Sequence, residues 1–207
     1  MPYLAEFLTV AFVHLLAVMS PGPDFIMISR NSLVYSRKTG VLSAVGLGLG
    51  ILVHVTYCII GIGYIISRSI LLFSILKFIG AGYLIYLGWK ILKSKPQVAQ
   101  AVIENKKEMS AASAIRMGFL TNALNPKATL FFFALFTQVV SPHTPKFVQV
   151  LYGLEMFVMT IVWFALVAVL LSNRHLKPRF ARVQHYFERF FGVILVALGV
   201  KVALSTK

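Results

Sequence analysis

Long apolar runs separated by short polar stretches dominate the pattern of this 207-residue chain. Six apolar segments can be drawn, at approximately 4–29, 41–66, 70–92, 114–140, 147–172 and 187–205. Residues 41–66 contain no Asp, Glu, Lys or Arg, and neither do residues 156–173. Each such run is about long enough for a helix to cross ~30 Å of hydrocarbon. Strands of a membrane β-barrel would be shorter and alternating, so the pattern predicts an all-α integral membrane protein with six transmembrane helices.

Proline interrupts the first and the fourth apolar segments, in each case beside polar residues. The first interruption reads Ser20-Pro21-Gly22-Pro23-Asp24, and the other reads Asn122-Ala123-Leu124-Asn125-Pro126-Lys127. An interior proline costs a soluble helix ~3 kcal/mol or more, and lipid supplies no water to the freed carbonyl groups. Such breaks are usually tolerated where they line a cavity or a substrate path. The pattern therefore indicates transport.

The two halves of the chain resemble each other. At a shift of 105 residues, Pro21 aligns with Pro126 and Gly48 aligns with Gly153, and the third apolar segments of the two halves also match. Each half has three segments, an odd number, so the second half enters the membrane from the opposite side and forms an inverted repeat. We predict one membrane domain, with a first three-helix repeat at 1–95, a cytoplasmic linker at 96–113 and a second three-helix repeat at 114–207.

The charges support a membrane protein and give its orientation. Only 13% of the residues are charged, against about 25% in soluble domains. The net charge of +14 could indicate nucleic acid, but the cationic residues cluster between apolar segments, and we expect no nucleic-acid partner. Fourteen of the 20 Lys and Arg lie in loops one, three and five, so these loops are predicted to be cytoplasmic and both termini to lie outside. The opening run reaches Pro-Gly-Pro rather than a small-residue cleavage site, so no cleaved signal is expected.

Asp24 and Lys127 are the charged residues that directly follow the two interrupting prolines. If those prolines correspond, an acid and a base face each other across the pseudo-two-fold axis. Such a pair could form a zwitterion-sized site, with Asp24 receiving an ammonium group and Lys127 a carboxylate. Half-helix N-termini would add donors for the anionic group. The alternative is structural, with Asp24 and Lys127 holding the two halves together.

Three further ionisable residues lie within apolar segments. Glu155, like Asp24, is a candidate for proton coupling, because a buried acid can exchange protons near neutral pH. Glu155 could also be an interface residue that faces water. His54 could relay protons, but a lone histidine at this depth more often forms a hydrogen bond to a neighbouring helix. For His14 we expect such a structural role.

Glycines and the single cysteine are given structural roles. Gly46 and Gly50 form a G-x-x-x-G pattern around Gly48, which favours close helix packing, with a wall beside a substrate path as the alternative. Cys58 cannot form an intrachain disulfide. The sequence contains no metal-ligand spacing, no nucleotide-binding motif and no catalytic constellation, so we predict neither an enzyme nor a cofactor.

These motifs resemble those of the LysE/RhtB family of amino-acid exporters. The resemblance is carried by residues 7–11 leading into Met19–Asp24, by the glycines of 46–50, by residues 77–88, and most specifically by Gly118–Ala128, with Asn125, Pro126 and Lys127 at its end. It covers essentially the whole chain and weakens after about residue 142. The opening is most similar to the threonine and homoserine branch.

The resemblance implies a secondary transporter that exports amino acids across the bacterial inner membrane, driven by the proton gradient. It carries substrate binding over to Pro21, Gly22, Pro23 and Asp24 in the first break, and to Asn125, Pro126 and Lys127 in the second. Ser20 and Asn122, in the same two polar stretches, are further substrate-binding candidates. The expected partners are an amino-acid substrate, protons and the lipid bilayer, and six helices are compatible with a homodimer. The alternatives are an importer of small zwitterions and a membrane scaffold or regulatory protein without transport activity.

Overall fold

The structure of the protein is a computed structural model that describes residues 3–93, 109–141, 143–173, 189–190, 192–197, 199–201 and 203–204. Every regular element in these ranges is helical. In chain order, the first four helices are α1 (Leu4–Met19), α2 (Pro23–Arg30), α3 (Arg37–Arg68) and α4 (Ile70–Leu92), with a π-helical turn at Asn31–Tyr35 before α3. The next three are α5 (Ala111–Ala123), α6 (Pro126–Gln138) and α7 (Lys146–Ser172).

Both predicted interruptions are present as breaks between helices. The axis bends by 58° between α1 and the segment Pro23–Tyr35, and α5 and α6 are separated by Leu124 and Asn125. Proline explains both sites, because it lacks an N–H group and cannot continue a helix that is already formed. Pro23 and Pro126 instead begin α2 and α6, where a missing N–H costs nothing.

The long helix α3 is the centre of the packing, with α5 and α7 against it. Glycine permits the approach to α5: a Cβ atom on Gly46 would lie 2.0 Å from the carbonyl oxygen of Ile115, and one on Gly118 would lie 2.0 Å from that of Ser43. On the side facing α7, a Cβ on Gly48 would meet Ile161 at 2.6 Å. These three glycines therefore lie where α3 packs closely against α5 and α7.

Two helices in the described ranges are long and apolar enough to cross a membrane, at Arg37–Gly61 and Lys146–Ser172, and a third span is obtained if the bent pair α1–α2 counts as one. The helical class is thus confirmed, and six spans in an inverted repeat stay a prediction. α5 begins at Ala111, after the cap residue Ser110. The last residues of the expected linker, 111–113, are therefore helical. Most of that linker, and the segment between α7 and residue 189, lie outside the described residues.

Candidate functional site

At the first break, Lys127 from the second half caps the end of α1. Its Nζ atom donates hydrogen bonds to the carbonyl oxygen of Pro21 at 3.0 Å, to that of Ser20 at 3.3 Å, and to the Ser20 hydroxyl. A cation is unfavourable at the N-terminus of its own helix α6, which carries partial positive charge, and favourable at the C-terminus of α1. The side chain therefore supplies hydrogen-bond donors to two carbonyl groups that lie in the break between α1 and α2.

At the second break, the residues that end α5 and cap α6 hold Asp24 from the first half. Its carboxylate accepts a hydrogen bond of 2.8 Å from Asn122 Nδ2 and one of 3.1 Å from Asn125 Nδ2. Asn125 is also the N-cap of α6, since its Oδ1 accepts from the backbone N–H of Lys127 at 3.0 Å. Asp24 itself lies in the first turn of α2, where a carboxylate is stabilised by the helix dipole.

A cavity with a volume of about 40 Å³ lies where the two breaks meet. Most of the polar residues that line this cavity belong to the two breaks, and most of its other lining residues are apolar. The polar end is formed by Ser20, Gly22, Pro23, Asp24, Asn122, Asn125 and Lys127, and the rest by His14, Ala17, Val18, Ile51, Ala128, Phe131, Phe132 and Phe164. This volume exceeds the ~10–15 Å³ needed for one water molecule, so the charged groups lie beside space that can hold water or a small polar ligand.

A second, larger cavity of about 430 Å³ lies on the other side of the same residues. Gly22, Pro23, Asn125 and Lys127 line both cavities, whereas Pro21 and Pro126 line only the larger one. A Cβ atom on Gly22 would lie 3.1 Å from Lys127 Nζ. The contact between Gly22 and Lys127 thus forms part of the partition between the two spaces.

His54 and Glu155 are not among the residues that line either cavity. His54 has a partner at each ring nitrogen: Nε2 lies 3.0 Å from the carbonyl oxygen of Asn122, and Nδ1 lies 2.8 Å from the Tyr57 hydroxyl. It therefore caps the end of α5, as the structural alternative anticipated. Within the described part of the chain, both carboxylate oxygens of Glu155 are buried without a hydrogen-bond partner.

His14 is a cavity residue to which the sequence reasoning gave only a structural role. It is fully buried in α1 and lines the smaller cavity with Ala17 and Val18. The spacing of three and four residues places these side chains on one face of the helix. That spacing, extended back from the break, is the signal that could have identified it.

The sequence of the chain also matches a known protein family. The family model of the LysE type translocators matches residues 15–206, a range that includes both breaks. The chain belongs to the LysE type translocator family. This LysE-family chain is 28% identical over 204 residues to the threonine efflux protein of Escherichia coli strain K12, covering 98% of this chain and 99% of that protein.

Other relatives of the LysE-family chain have similar coverage. The threonine efflux protein of Salmonella typhi is 29% identical over 206 residues, with 98% of this chain and 99% of that protein covered. The uncharacterized membrane protein YrhP of Bacillus subtilis is 27% identical over 205 residues, with 94% and 98% covered. No solved structure matches the chain. A translocator family, and long apolar helices that include two of membrane-spanning length, identify a membrane protein.

Proposed function

We propose that this translocator exports small amino acids across the bacterial inner membrane in exchange for protons. The observation that carries the proposal is that Asp24 and Lys127, opposite charges from the two halves of the chain, line one cavity between two broken helices. An amino acid is a zwitterion, so the site offers a complementary group for each of its charges. The threonine efflux proteins among the relatives support both the substrate class and the direction.

The hydrogen bonds at the site suit a ligand that enters with its ammonium group toward Asp24. A carboxylate has about four acceptor positions, and the two asparagine amides take two of those on Asp24. An ammonium group can therefore bind there without displacing a protein donor. Lys127 has three donors, and Ser20 and Pro21 accept all three. A substrate carboxylate has to replace at least one of these contacts, which would loosen the cap on α1.

This exchange of hydrogen-bond partners supplies a mechanism by which substrate binding would open the contact between the two halves of the protein. In this structure, Lys127 connects α6 to the end of α1, and Asp24 connects α2 to α5 and to the cap of α6. Both connections cross between the halves. Replacement of the Lys127 contacts by a substrate carboxylate removes one connection, and protonation of Asp24 would weaken the other. The structural and the substrate-binding interpretations of the pair are then two stages of one cycle.

The packing supports the inverted repeat that alternating access needs. Three pairs of helix contacts correspond between the halves. The contact of α3 with α5 corresponds to that of α7 with α1, and the contact of α3 with α6 corresponds to that of α7 with α2. The contact of α2 with α5 corresponds to that of α6 with α1. A two-fold exchange of α1, α2 and α3 with α5, α6 and α7 would relate the members of each of these three pairs. With loops one, three and five in the cytoplasm, α1 and α5 would approach the break from opposite sides of the membrane.

The experiment compares the wild type with Asp24→Asn, Lys127→Met and the double variant in vesicles energised by respiration. In everted vesicles an exporter accumulates labelled amino acid, and abolishing the pH gradient stops the accumulation. We expect both single variants to reach the membrane and to lose transport, whereas Gly82→Ala, at a position with no atom within 4 Å of an added Cβ, retains it.

The other outcomes distinguish the alternatives. Accumulation only in right-side-out vesicles would indicate an importer. No accumulation of any amino acid in either orientation would indicate a scaffold or regulatory protein. Recovery of transport in the double variant would show that Asp24 and Lys127 are only a structural pair, and the zwitterion site would then be wrong.

A further inference from the structure

Among the residues that the structure describes, His14 and His54 are the buried histidines, and they differ in the hydrogen bonds of their rings. Both ring nitrogens of His54 have partners within 3.0 Å. In His14, Nε2 lies 3.4 Å from the Thr160 hydroxyl, while Nδ1 is buried without a hydrogen-bond partner among the described residues. Leaving a buried polar atom unpaired costs about 1–3 kcal/mol, so a purely structural histidine would be expected to resemble His54.

His14 is also placed beside space rather than within solid packing. It lines the cavity that contains Asp24 and Lys127. The remaining neighbours are apolar, with the rings of Phe131 and Phe132 centred 6.3 and 5.7 Å from the imidazole. His14 is thus the polar residue among the otherwise apolar side chains that line the rest of the cavity.

The position of His14 along α1 suits a ligand the size of one small amino acid. Ser20 lies six positions after His14, a rise of roughly 9 Å along the axis of a helix. A hydrogen bond spans about 2.8 Å between heavy atoms. A ligand with its charged groups at the polar end and a hydroxyl on a short side chain could therefore contact both ends.

A hydroxyl group matches the chemistry of the unpaired nitrogen in either tautomer. In a neutral imidazole one ring nitrogen donates and the other accepts. If Nε2 donates to Thr160, Nδ1 accepts, and if Nε2 accepts from Thr160, Nδ1 donates. A hydroxyl can donate or accept, whereas a methyl group of the same size can do neither. The apolar neighbours disfavour a charged side chain.

We propose that His14 is a specificity-determining residue that binds the side-chain hydroxyl of a small hydroxy amino acid. This inference rests on the proposed export function and adds the substrate class: β- and γ-hydroxy amino acids are selected over apolar amino acids of the same shape. Selection follows because an apolar substrate would fill the cavity and leave Nδ1 buried without a partner.

The test measures export of threonine and of valine, its isostere without the hydroxyl, by the full-length protein in proteoliposomes. His14→Leu removes the polar atoms, and His14→Gln keeps a donor and an acceptor. His54→Gln is the matched control, because it changes the buried histidine that does not line the cavity. We expect the wild type to prefer threonine, and the threonine-to-valine ratio of kcat/KM to fall about tenfold or more in His14→Leu. The ratio is expected to stay within about threefold of wild type in His14→Gln and in the control.

Wild-type export of valine as effective as that of threonine would overturn the inference and leave the export function intact, whereas absence of any amino-acid export would overturn the export function itself. A ratio unchanged in His14→Leu, or lowered equally by His54→Gln, would also overturn it. If His14→Leu does not reach the membrane, the wild-type protein still tests the inference. Serine and alanine are then compared as competitors of threonine export. Serine should compete about tenfold better, and equal competition would exclude a hydroxyl-binding residue.

Discussion

Asn122 Nδ2 lies 2.8 Å from the Asp24 carboxylate, across 98 positions of the chain. The reciprocal contact runs from Lys127 to the Pro21 carbonyl oxygen at 3.0 Å. Each break is thus completed by a side chain from the other half of the protein. Polar groups in a break within a membrane helix need partners, and here Asn122 and Lys127 of the second half supply donors to polar groups of the first break.

The first prediction concerns Asn122. Replacement by Ala removes one of the two donors to a buried carboxylate, and we expect the free energy of unfolding to fall by about 1–3 kcal/mol. Asn122→Asp should be worse, because it places a second acidic group beside Asp24. The measurement is the thermal midpoint of the purified protein in detergent, together with export in vesicles.

The double variant Asp24→Asn/Asn122→Asp distinguishes the contribution of this pair to stability from its contribution to export. It keeps one carboxylate and one amide at the same contact, so stability should return toward that of wild type. Export should not return, because the acidic group has moved from the N-terminus of α2 to the end of α5. Restored export would show that the position of the charge is unimportant.

The second prediction tests the partition formed by Gly22 and Lys127. A Cβ atom at position 22 would lie 3.1 Å from the lysine Nζ, closer than ordinary van der Waals contact. The ammonium group is held by three acceptors and cannot shift without weakening them. Gly22→Ala should therefore lower the export rate by about tenfold, the equivalent of one charge-assisted hydrogen bond, with normal membrane insertion. A rate equal to that of Gly82→Ala would contradict the model of a tight partition.

The third prediction concerns the interface between α3 and α5. Alanine at Gly46 or Gly118 would place a Cβ atom 2.0 Å from a backbone carbonyl oxygen of the other helix. Backbone cannot rotate away as a side chain can, so each variant should lose at least about 1–3 kcal/mol of stability. Gly61→Ala, where no atom lies within 4 Å, is the control and should be neutral. Equal thermal midpoints for all three variants would mean that the helices can separate at no cost.

The breaks could be predicted from the sequence because proline acts locally. Pro23 and Pro126 determine where α2 and α6 begin, whatever surrounds them. The repeat predicted from the sequence placed Asp24 and Lys127 at corresponding breaks, and in the structure both residues line the smaller cavity. The positions of the two breaks can therefore be read from the sequence without knowledge of the tertiary packing.

The partners within the site could not be predicted, because they depend on how the helices are rotated against one another. The sequence does not show that Asn122 and Asn125 bind Asp24, or that His54 reaches the Asn122 carbonyl oxygen. His14 was missed for the same reason, since the cavity is formed by residues from α1, α2, α3, α5, α6 and α7. Only their three-dimensional arrangement makes it a cavity residue.

The last prediction concerns Glu155, whose carboxylate oxygens are buried without a hydrogen-bond partner among the residues that the structure describes. An uncompensated buried acid is costly. Glu155→Leu should raise the free energy of unfolding by about 1–3 kcal/mol, the usual cost of a buried polar group without a partner. Val158→Leu, on the exposed side of α7, serves as the matched control and should change neither stability nor transport.

The same Glu155 variant tests proton coupling when two transport modes are compared. Accumulation driven by a pH gradient requires a group that binds and releases a proton in each cycle, whereas exchange of labelled for unlabelled substrate across the membrane does not. If Glu155 is the coupling residue, Glu155→Leu and Glu155→Gln should lose gradient-driven accumulation and keep exchange. Loss of both modes would place the residue in substrate binding or folding instead. Retention of both would leave Asp24 as the acidic group for coupling, because it is the carboxylate that lines the substrate cavity.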